Sequence, residues 1–146
     1  MVPTAVLCCS NYCALSLKAK ALILDMGARF NGYNNGDLAA PYSWMQLRGW
    51  RSKDTLHRAL MELREAGMIE LTRQGGLLGP SLYAFTWLPV DICKAHPEIT
   101  PTRVASGEWQ RRTVATDDAV KINLPPRPLG RTAPTIGLDL KKRAAK

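Results

Sequence analysis

The sequence has no long hydrophobic run and no recognisable leader. No stretch of about 18 apolar residues occurs, as a membrane-spanning helix would need. The chain does not open on the basic, hydrophobic and small-residue segments of a secretory signal. We therefore expect an intracellular protein, cytoplasmic or bound to the nucleoid, with no membrane partner.

Cysteine is scarce, and its spacing does not match a metal site. Thiolate and imidazole groups bind zinc, but Cys8, Cys9 and Cys13 are far from Cys93 and His96 in the chain, and the spacings fit no strong zinc pattern. Disulfides rarely persist in a reducing compartment. We therefore expect free thiols, no metal and no cofactor.

Catalytic motifs are also missing from the sequence. It has no nucleophile with a suitable base, no paired carboxylates in a loop and no phosphate-binding glycine motif. The pair Gly75 and Gly76 falls in a predicted turn between strands and not in a nucleotide-binding loop. The sequence therefore predicts that this protein is not an enzyme.

Positive charge is what the sequence has in excess. The 20 Lys and Arg residues outnumber the 12 Asp and Glu residues, which gives a net charge of +8. Such a chain is attracted to polyanions, either nucleic acid or an acidic membrane surface. Charge alone does not choose between them.

More than half of this excess lies in the last third of the chain. Residues 97–146 contain ten basic and five acidic residues and six prolines, without a sustained hydrophobic period. We therefore expect residues 91–146 to form a Pro-rich basic tail, largely extended or disordered. A solvated linker and a DNA or partner anchor are both open as its role, and Trp109 is the residue in it that we expect to dock.

The rest of the chain predicts one domain over residues 16–90, preceded by an N-terminal extension of residues 1–15. Ser16 is a suitable N-cap for a first helix through about Phe30, with apolar residues at helical spacing. The Asn- and Gly-rich stretch 31–37 predicts a loop, and a short extended piece follows it.

Two further helices are predicted after this loop. Residues 41–48 can form about two helical turns, which Gly49 ends. Ser52 is a suitable N-cap for a helix that reaches about Ala66 and is stopped by Gly67. The apolar face of this third helix consists of Leu56, Ala59, Leu60 and Leu63.

A hairpin follows the third helix. Residues 68–73 and 81–87 alternate as strands do, on either side of a glycine-rich turn at 74–80. The order of helix, short strand, helix, tight turn, helix and hairpin is that of a winged helix-turn-helix. We therefore predict an α+β, mainly helical fold of three helices and a β-hairpin wing.

This fold predicts where DNA would bind. The third helix would enter the major groove while the helix before it braces it against the backbone. Arg and Lys pair with guanine edges or phosphates, and Ser and Thr reach either. The alternative is that these charged residues simply face solvent and have no binding role. The predicted DNA-binding residues are Arg48, Arg51, Ser52, Lys53, Thr55, His57, Arg58, Arg73 and Gln74, with Arg51 and Lys53 expected to contribute most.

Three stretches of this region also carry a family likeness. Residues Gly49 to Leu56, Glu65 to Ile69 and Leu71 to Gly76 resemble small winged helix proteins of phages, prophages and other mobile elements. The likeness spans about Leu15 to Val90. It implies a sequence-selective DNA-binding protein that regulates transcription or assists replication.

Other functions remain open at this point. A winged helix can instead be a protein-interaction module that binds or inhibits a host nucleic-acid-processing complex. RNA binding is a weaker alternative, because the predicted reader helix suits the B-form major groove better than the deep, narrow groove of A-form RNA. A homodimer is also open, since two-fold binding is common for such domains.

Overall fold

The structure is a computed structural model that describes residues 2–77 and 79–111, and within them the chain has an α+β fold. Its helices are α1 (Thr4–Leu7), α2 (Ser10–Ala14), α3 (Leu17–Gly27), α4 (Tyr42–Leu47) and α5 (Lys53–Glu65), with a 3₁₀ turn at Glu108–Gln110. Its strands are β1 (Leu38–Ala39), β2 (Ile69–Arg73) and β3 (Leu82–Phe85). The part of the predicted tail after Arg111 lies outside the described residues.

Helix α3 begins where the sequence predicts. The hydroxyl of Ser16 accepts a hydrogen bond from the backbone N–H of Ala19 at 3.2 Å, which satisfies one of the free donors of the first turn. Glu62 of α5 accepts from both the N–H and the hydroxyl of Ser16, at 2.5 and 2.7 Å. Of the apolar residues at helical spacing, Leu22, Ile23 and Met26 are buried, whereas Leu17 and Ala21 are exposed. The start of α3 is thus fixed to α5.

Helices α4 and α5 also confirm their sequence signals. Gly49, just after α4, has φ +91°, a left-handed backbone conformation that glycine adopts without steric cost. The hydroxyl of Ser52 accepts from the N–H of Thr55 at 3.3 Å and caps α5. Gly67 ends that helix with φ +69°, and a Cβ there would lie 2.5 Å from the carbonyl oxygen of Glu108. Glycine is therefore required at position 67 for two reasons: the helix ends there in a left-handed conformation, and the backbone of Glu108 packs where a side chain would be.

The sheet has β3 at its centre, antiparallel to β1 on one side and β2 on the other. Leu38 is opposite Tyr83, and Ile69 is opposite Phe85. The sequence predicts that one alternating set of β3 faces inward. The structure buries both sets, because each face of the sheet has its own apolar cover. Tyr83 and Phe85 pack into the main core with the helices.

The second face of the sheet is covered by Val90 and by part of residues 91–111, a segment that we call the strap. Leu82 and Ala84 form a second apolar cluster with Val90 and Ile99, and Ile99 is only 4% exposed. The hydroxyl of Thr102 accepts from the N–H of Val90 at 2.9 Å, and the Thr102 N–H donates back to the Val90 carbonyl at 3.0 Å. The strap therefore belongs to the folded unit.

This differs from the sequence-based boundary at residue 90. Proline content predicted an extended or disordered segment, whereas isolated apolar side chains hold the strap in place. Trp109 packs against the main core, as expected for the docking residue of this segment. The N–H of Gly107 donates to the Thr86 carbonyl at 2.9 Å. Apolar contacts and backbone hydrogen bonds therefore join this proline-containing segment to the sheet and the core.

The N-terminal residues also join the fold. Val6 of α1 is fully buried in the main core. The side-chain amide of Asn11 in α2 donates to the carbonyls of Trp109 and Arg111, at 3.1 and 2.6 Å. Both ends of the described chain therefore meet at α2. None of the helices in residues 2–77 and 79–111 is long and apolar enough to cross a membrane.

Candidate nucleic-acid interface

The turn between α4 and α5 is fixed to α3 through one carboxylate. The Trp50 N–H donates to the Met45 carbonyl at 3.1 Å, which closes the turn after α4. The Trp50 side chain is nearly buried, at 6% exposure, and its indole Nε1 donates to Oδ2 of Asp25 at 2.7 Å. Residues 48–52 are thus held in one orientation at the start of α5.

Arg48 shares the same carboxylate. Its Nε and Nη2 both lie 2.9 Å from Oδ1 of Asp25, and its guanidinium carbon is 5.4 Å from the centre of the Trp44 ring. An arginine whose donors already bind a carboxylate is partly neutralised. Arg48, predicted as a DNA contact, therefore serves first to anchor the turn.

The cations at the start of α5 are exposed. Arg51 has no ion pair within the described part of the chain. Lys53 lies with its ammonium 5.5 Å from the centre of the Tyr42 ring. His57 is one helical turn after Lys53 on the same exposed face of α5. These three side chains form a solvent-facing group at one end of the helix.

The other predicted residues of this helix are placed less freely. Ser52 and Thr55 are half-buried, and the Ser52 hydroxyl is occupied by the cap of α5. Arg58 pairs with Asp54 at 2.6 Å, with about three quarters of each side chain exposed. An exposed pair of this kind contributes about 0.3–0.5 kcal/mol in a helix, so Arg58 can readily exchange this partner for another anion.

The predicted wing carries its cation in an ion pair. Nε of Arg73 lies 3.0 Å from Oε1 of Glu98 in the strap. Gln74 is exposed, and among the described residues no ion pair joins Arg73 or Gln74 to the exposed cations of α5. At the tip, Leu77 is fully exposed. The wing therefore exposes the amide of Gln74 and the apolar side chain of Leu77, while Arg73 is paired with Glu98 of the strap.

A small charge network surrounds Glu98. Nδ1 of His96 lies 3.4 Å from Oε1 of Glu98, and Nε2 lies 3.8 Å from Oδ1 of Asp37. A hydrogen bond from its own backbone N–H, together with His96 and Arg73 nearby, lowers the pKa of Glu98 below its ordinary value of 4.5. Glu98 is therefore ionised at neutral pH and offers Arg73 a full negative charge.

The sequence analysis missed several residues that shape this interface. Asp25 and Glu98 are the acids that engage two of the predicted DNA-binding arginines. Lys18 and Arg29 of the α3 region lie over Trp50 and Trp44. Lys18, Asp25 and Arg29 are spaced by seven and four residues, which would place them on one side of the helix that the sequence predicts through about Phe30. This spacing is the signal that could have identified them.

The cysteines show no metal-binding arrangement. Within the described residues, no group of three or more His, Cys, Asp and Glu side chains is placed to hold a metal ion. Cys8, Cys9 and Cys13 belong to the α1–α2 region and Cys93 to the strap, and all four are free thiols. Burial raises the pKa of the Cys9 thiol, whose sulfur accepts from the Tyr12 N–H at 3.3 Å. Cys9 therefore acts as the cap of α2.

Comparisons of this chain with protein-family models, with curated proteins and with solved structures find no match. The likeness to winged helix proteins of mobile elements stays a prediction from its motifs. The function of the interface has to be argued from its own residues.

Proposed function

We propose that this chain is a winged helix-turn-helix protein that binds double-stranded DNA with sequence selectivity, inside the cell, as a transcriptional regulator or replication accessory factor of a mobile element. It is not an enzyme. The order of α3, β1, α4, α5 and the β2–β3 hairpin supports the winged helix class. In this class α5 is the recognition helix, which lies in the major groove and contacts the bases.

One observation carries the proposal: α5 begins at an anchored turn and exposes cations there. The Trp50–Asp25 hydrogen bond holds the turn, while Arg51 and Lys53 are exposed. The B-DNA major groove is wide enough to admit an α-helix. Arginine and lysine at the leading end of such a helix can reach guanine edges and phosphates without rearrangement of the fold.

The opposite face of α5 supports the same function. Leu56, Ala59 and Leu63 are buried in the main core, so only the other side of the helix is available to a partner. That side carries Lys53 and His57 near its start. A rigidly packed helix holds its exposed side chains in a fixed array, which sequence discrimination requires.

The experiment begins with selection of bound duplexes from a random DNA pool by the full chain. An enriched duplex should bind about a thousandfold more tightly than scrambled DNA. The double variant Arg51→Ala/Lys53→Ala should lose about 1–3 kcal/mol per base contact removed. Both side chains are exposed, so thermal unfolding of the variant should match that of the wild type.

A matched control removes the same charge elsewhere. Lys94 and Arg103 are exposed in the strap, and Lys94→Ala/Arg103→Ala should leave the specificity ratio unchanged. Undiminished binding by the Arg51 and Lys53 variant would refute α5 as the reader. A palindromic enriched site would indicate a homodimer.

A protein-interaction module is the second candidate function. The almost wholly exposed large apolar side chains include Leu47, at 85% at the end of α4, and Leu77 at the wing tip. Apolar tips suit a protein surface better than a phosphate backbone. Absence of any enriched duplex, together with a stoichiometric complex with one host protein that Leu47→Ser/Leu77→Ser weakens, would favour this candidate.

A further inference from the structure

Helix α3 and the turn after it present two cations on one side, with an acid between them. Lys18 and Asp25 are seven residues apart and share one side of α3, and Arg29 follows in the turn after the helix ends at Gly27. Lys18 and Arg29 are exposed, and Asp25 is half-buried because it binds Trp50 and Arg48. Both oxygens of the Asp25 carboxylate are thus engaged by hydrogen bonds within the fold, whereas Lys18 and Arg29 face solvent.

Each of these cations lies over a tryptophan of the helix-turn-helix. The Lys18 ammonium is 6.0 Å from the centre of the Trp50 ring, and the Arg29 guanidinium carbon is 5.0 Å from that of Trp44. The attraction between a cation and an aromatic face restricts where the charge can move. Both charges are therefore positioned by the turn and by α4, the segments that lead into α5.

Arg29 differs from Arg48 in what its donors can do. Both guanidinium groups lie over Trp44, but Arg48 uses its Nε and Nη2 on Asp25. The Arg29 side chain has no acidic partner within residues 2–77 and 79–111. A ring covers only the face of a guanidinium, so its in-plane donors stay free, and these match the oxygens of a phosphate.

The backbone at Arg29 is fixed as well. Its carbonyl accepts a hydrogen bond from the side-chain amide of Asn34 at 3.0 Å. Helix α3 has 11 residues, which corresponds to about 16 Å of helical rise. Lys18 lies in its first turn and Arg29 lies just after its end, so the two charges are at opposite ends of the helix and not in a single cluster.

We infer that Lys18 and Arg29 form a second cationic row that binds the phosphodiester backbone of the duplex beside the groove read by α5. The inference rests on the proposed DNA binding and adds its backbone contact. Phosphate contacts fix register and orientation but carry no sequence information directly. The row therefore sets how α5 is oriented in the groove, while α5 itself selects the sequence.

The test measures the salt dependence of duplex binding by the full chain. Each phosphate contact contributes about 0.9 to the slope of log K against log salt concentration. Lys18→Ala/Arg29→Ala should lower that slope by about 1.8 and weaken enriched and scrambled duplexes equally. Arg29→Gln, which keeps a planar polar group over Trp44, should lower it by about 0.9.

The control Lys94→Ala/Arg103→Ala removes two charges from the strap and should leave the slope unchanged. An unaltered slope in the Lys18 and Arg29 variants, or an equal fall in the control, overturns the inference. If Arg51→Ala/Lys53→Ala still loses specific binding in that case, DNA binding by α5 stands without the row. If neither pair affects binding, the proposed function itself fails.

Discussion

The indole Nε1 of Trp50 and the carboxylate of Asp25 form a 2.7 Å hydrogen bond that joins the turn before α5 to α3. The partners are 25 residues apart in the chain, and only 15% of the Asp25 side chain is exposed. The second oxygen of the same carboxylate binds Arg48. One acid therefore determines how the exposed cations at the start of α5 are presented.

Removal of this carboxylate should destabilise the fold. Asp25→Ala leaves the nearly buried indole N–H of Trp50 without its acceptor, which costs about 1–3 kcal/mol. Asp25→Asn should cost less, because the amide oxygen can still accept from Trp50. Urea unfolding measures both variants.

The matched control is Asp54→Ala, which removes the exposed pair with Arg58 and the acid in the first turn of α5. It should change the free energy of unfolding by about 1 kcal/mol or less. Equal effects of the Asp25 and Asp54 substitutions would show that the Trp50 bond contributes nothing to stability.

Asn35 joins the α3–β1 loop to the end of β3, and its replacement should be more damaging. Its side-chain amide donates to the carbonyls of Phe85, Leu88 and Pro89 at 2.9 to 3.2 Å, and its oxygen accepts from the Phe85 N–H at 2.7 Å. The residue is 1% exposed. Asn35→Asp replaces the donor with an acceptor that faces three carbonyls, so we expect a loss of about 3 kcal/mol or more.

Thermal and urea unfolding test this expectation. The control Asn31→Asp changes an exposed loop residue whose oxygen accepts from the Tyr33 N–H at 2.9 Å, and a carboxylate retains that role. Its stability should stay within about 0.5 kcal/mol of the wild type. A mild effect of Asn35→Asp would mean that the loop can detach from β3 without cost.

The elements of this fold that the sequence predicts well are those with local signals. Ser16 and Ser52 each cap a helix within three residues of themselves, and Gly49 and Gly67 end helices through their own backbone angles. Such features depend on neighbours in the chain. The positions of α3, α4 and α5 could therefore be predicted from the sequence, whereas α1 and α2, which lie in the predicted N-terminal extension, were missed and the predicted count of three helices was too low.

The features that the sequence could not predict depend on distant partners. The alternation in β3 could not show that both of its faces are buried, because the cover of the second face comes from Val90 and from Ile99 in the strap. Likewise, Arg48 and Arg73 look like free cations until the fold brings an acid to each of them. A list of charged residues predicts the candidate site, whereas the fold decides which charges are available.

The strap should weaken the contribution of the wing to DNA binding. Glu98 pairs with Nε of Arg73 and would compete with a phosphate for this guanidinium. Glu98→Gln removes the competing charge and should tighten duplex binding about two- to fivefold at low salt, the range of a partly exposed ion pair. Glu108→Gln, which removes an equal charge from the exposed pair with Arg111, is the control in the same titration. Unchanged or weaker binding by Glu98→Gln would exclude Arg73 as a contact.

The same ion pair makes the stability of the strap depend on pH. The hydrogen bond from its own N–H, with His96 and Arg73, lowers the pKa of Glu98 in the folded chain below 4.5. A carboxyl group with a depressed folded pKa stabilises the fold above its unfolded pKa, and this contribution disappears as the pH falls through the folded value.

The free energy of unfolding of wild type minus that of Glu98→Gln should therefore be largest above pH 4.5 and shrink as the pH falls below it. Urea unfolding at a series of pH values measures this difference. The other carboxyl groups titrate in both proteins, so their contributions to the free energy of unfolding largely cancel in the difference. The remaining pH dependence is that of Glu98. A difference that stays constant over this range, or grows as the pH falls, would show that the network of Arg73, His96 and Glu98 does not hold the strap to the wing.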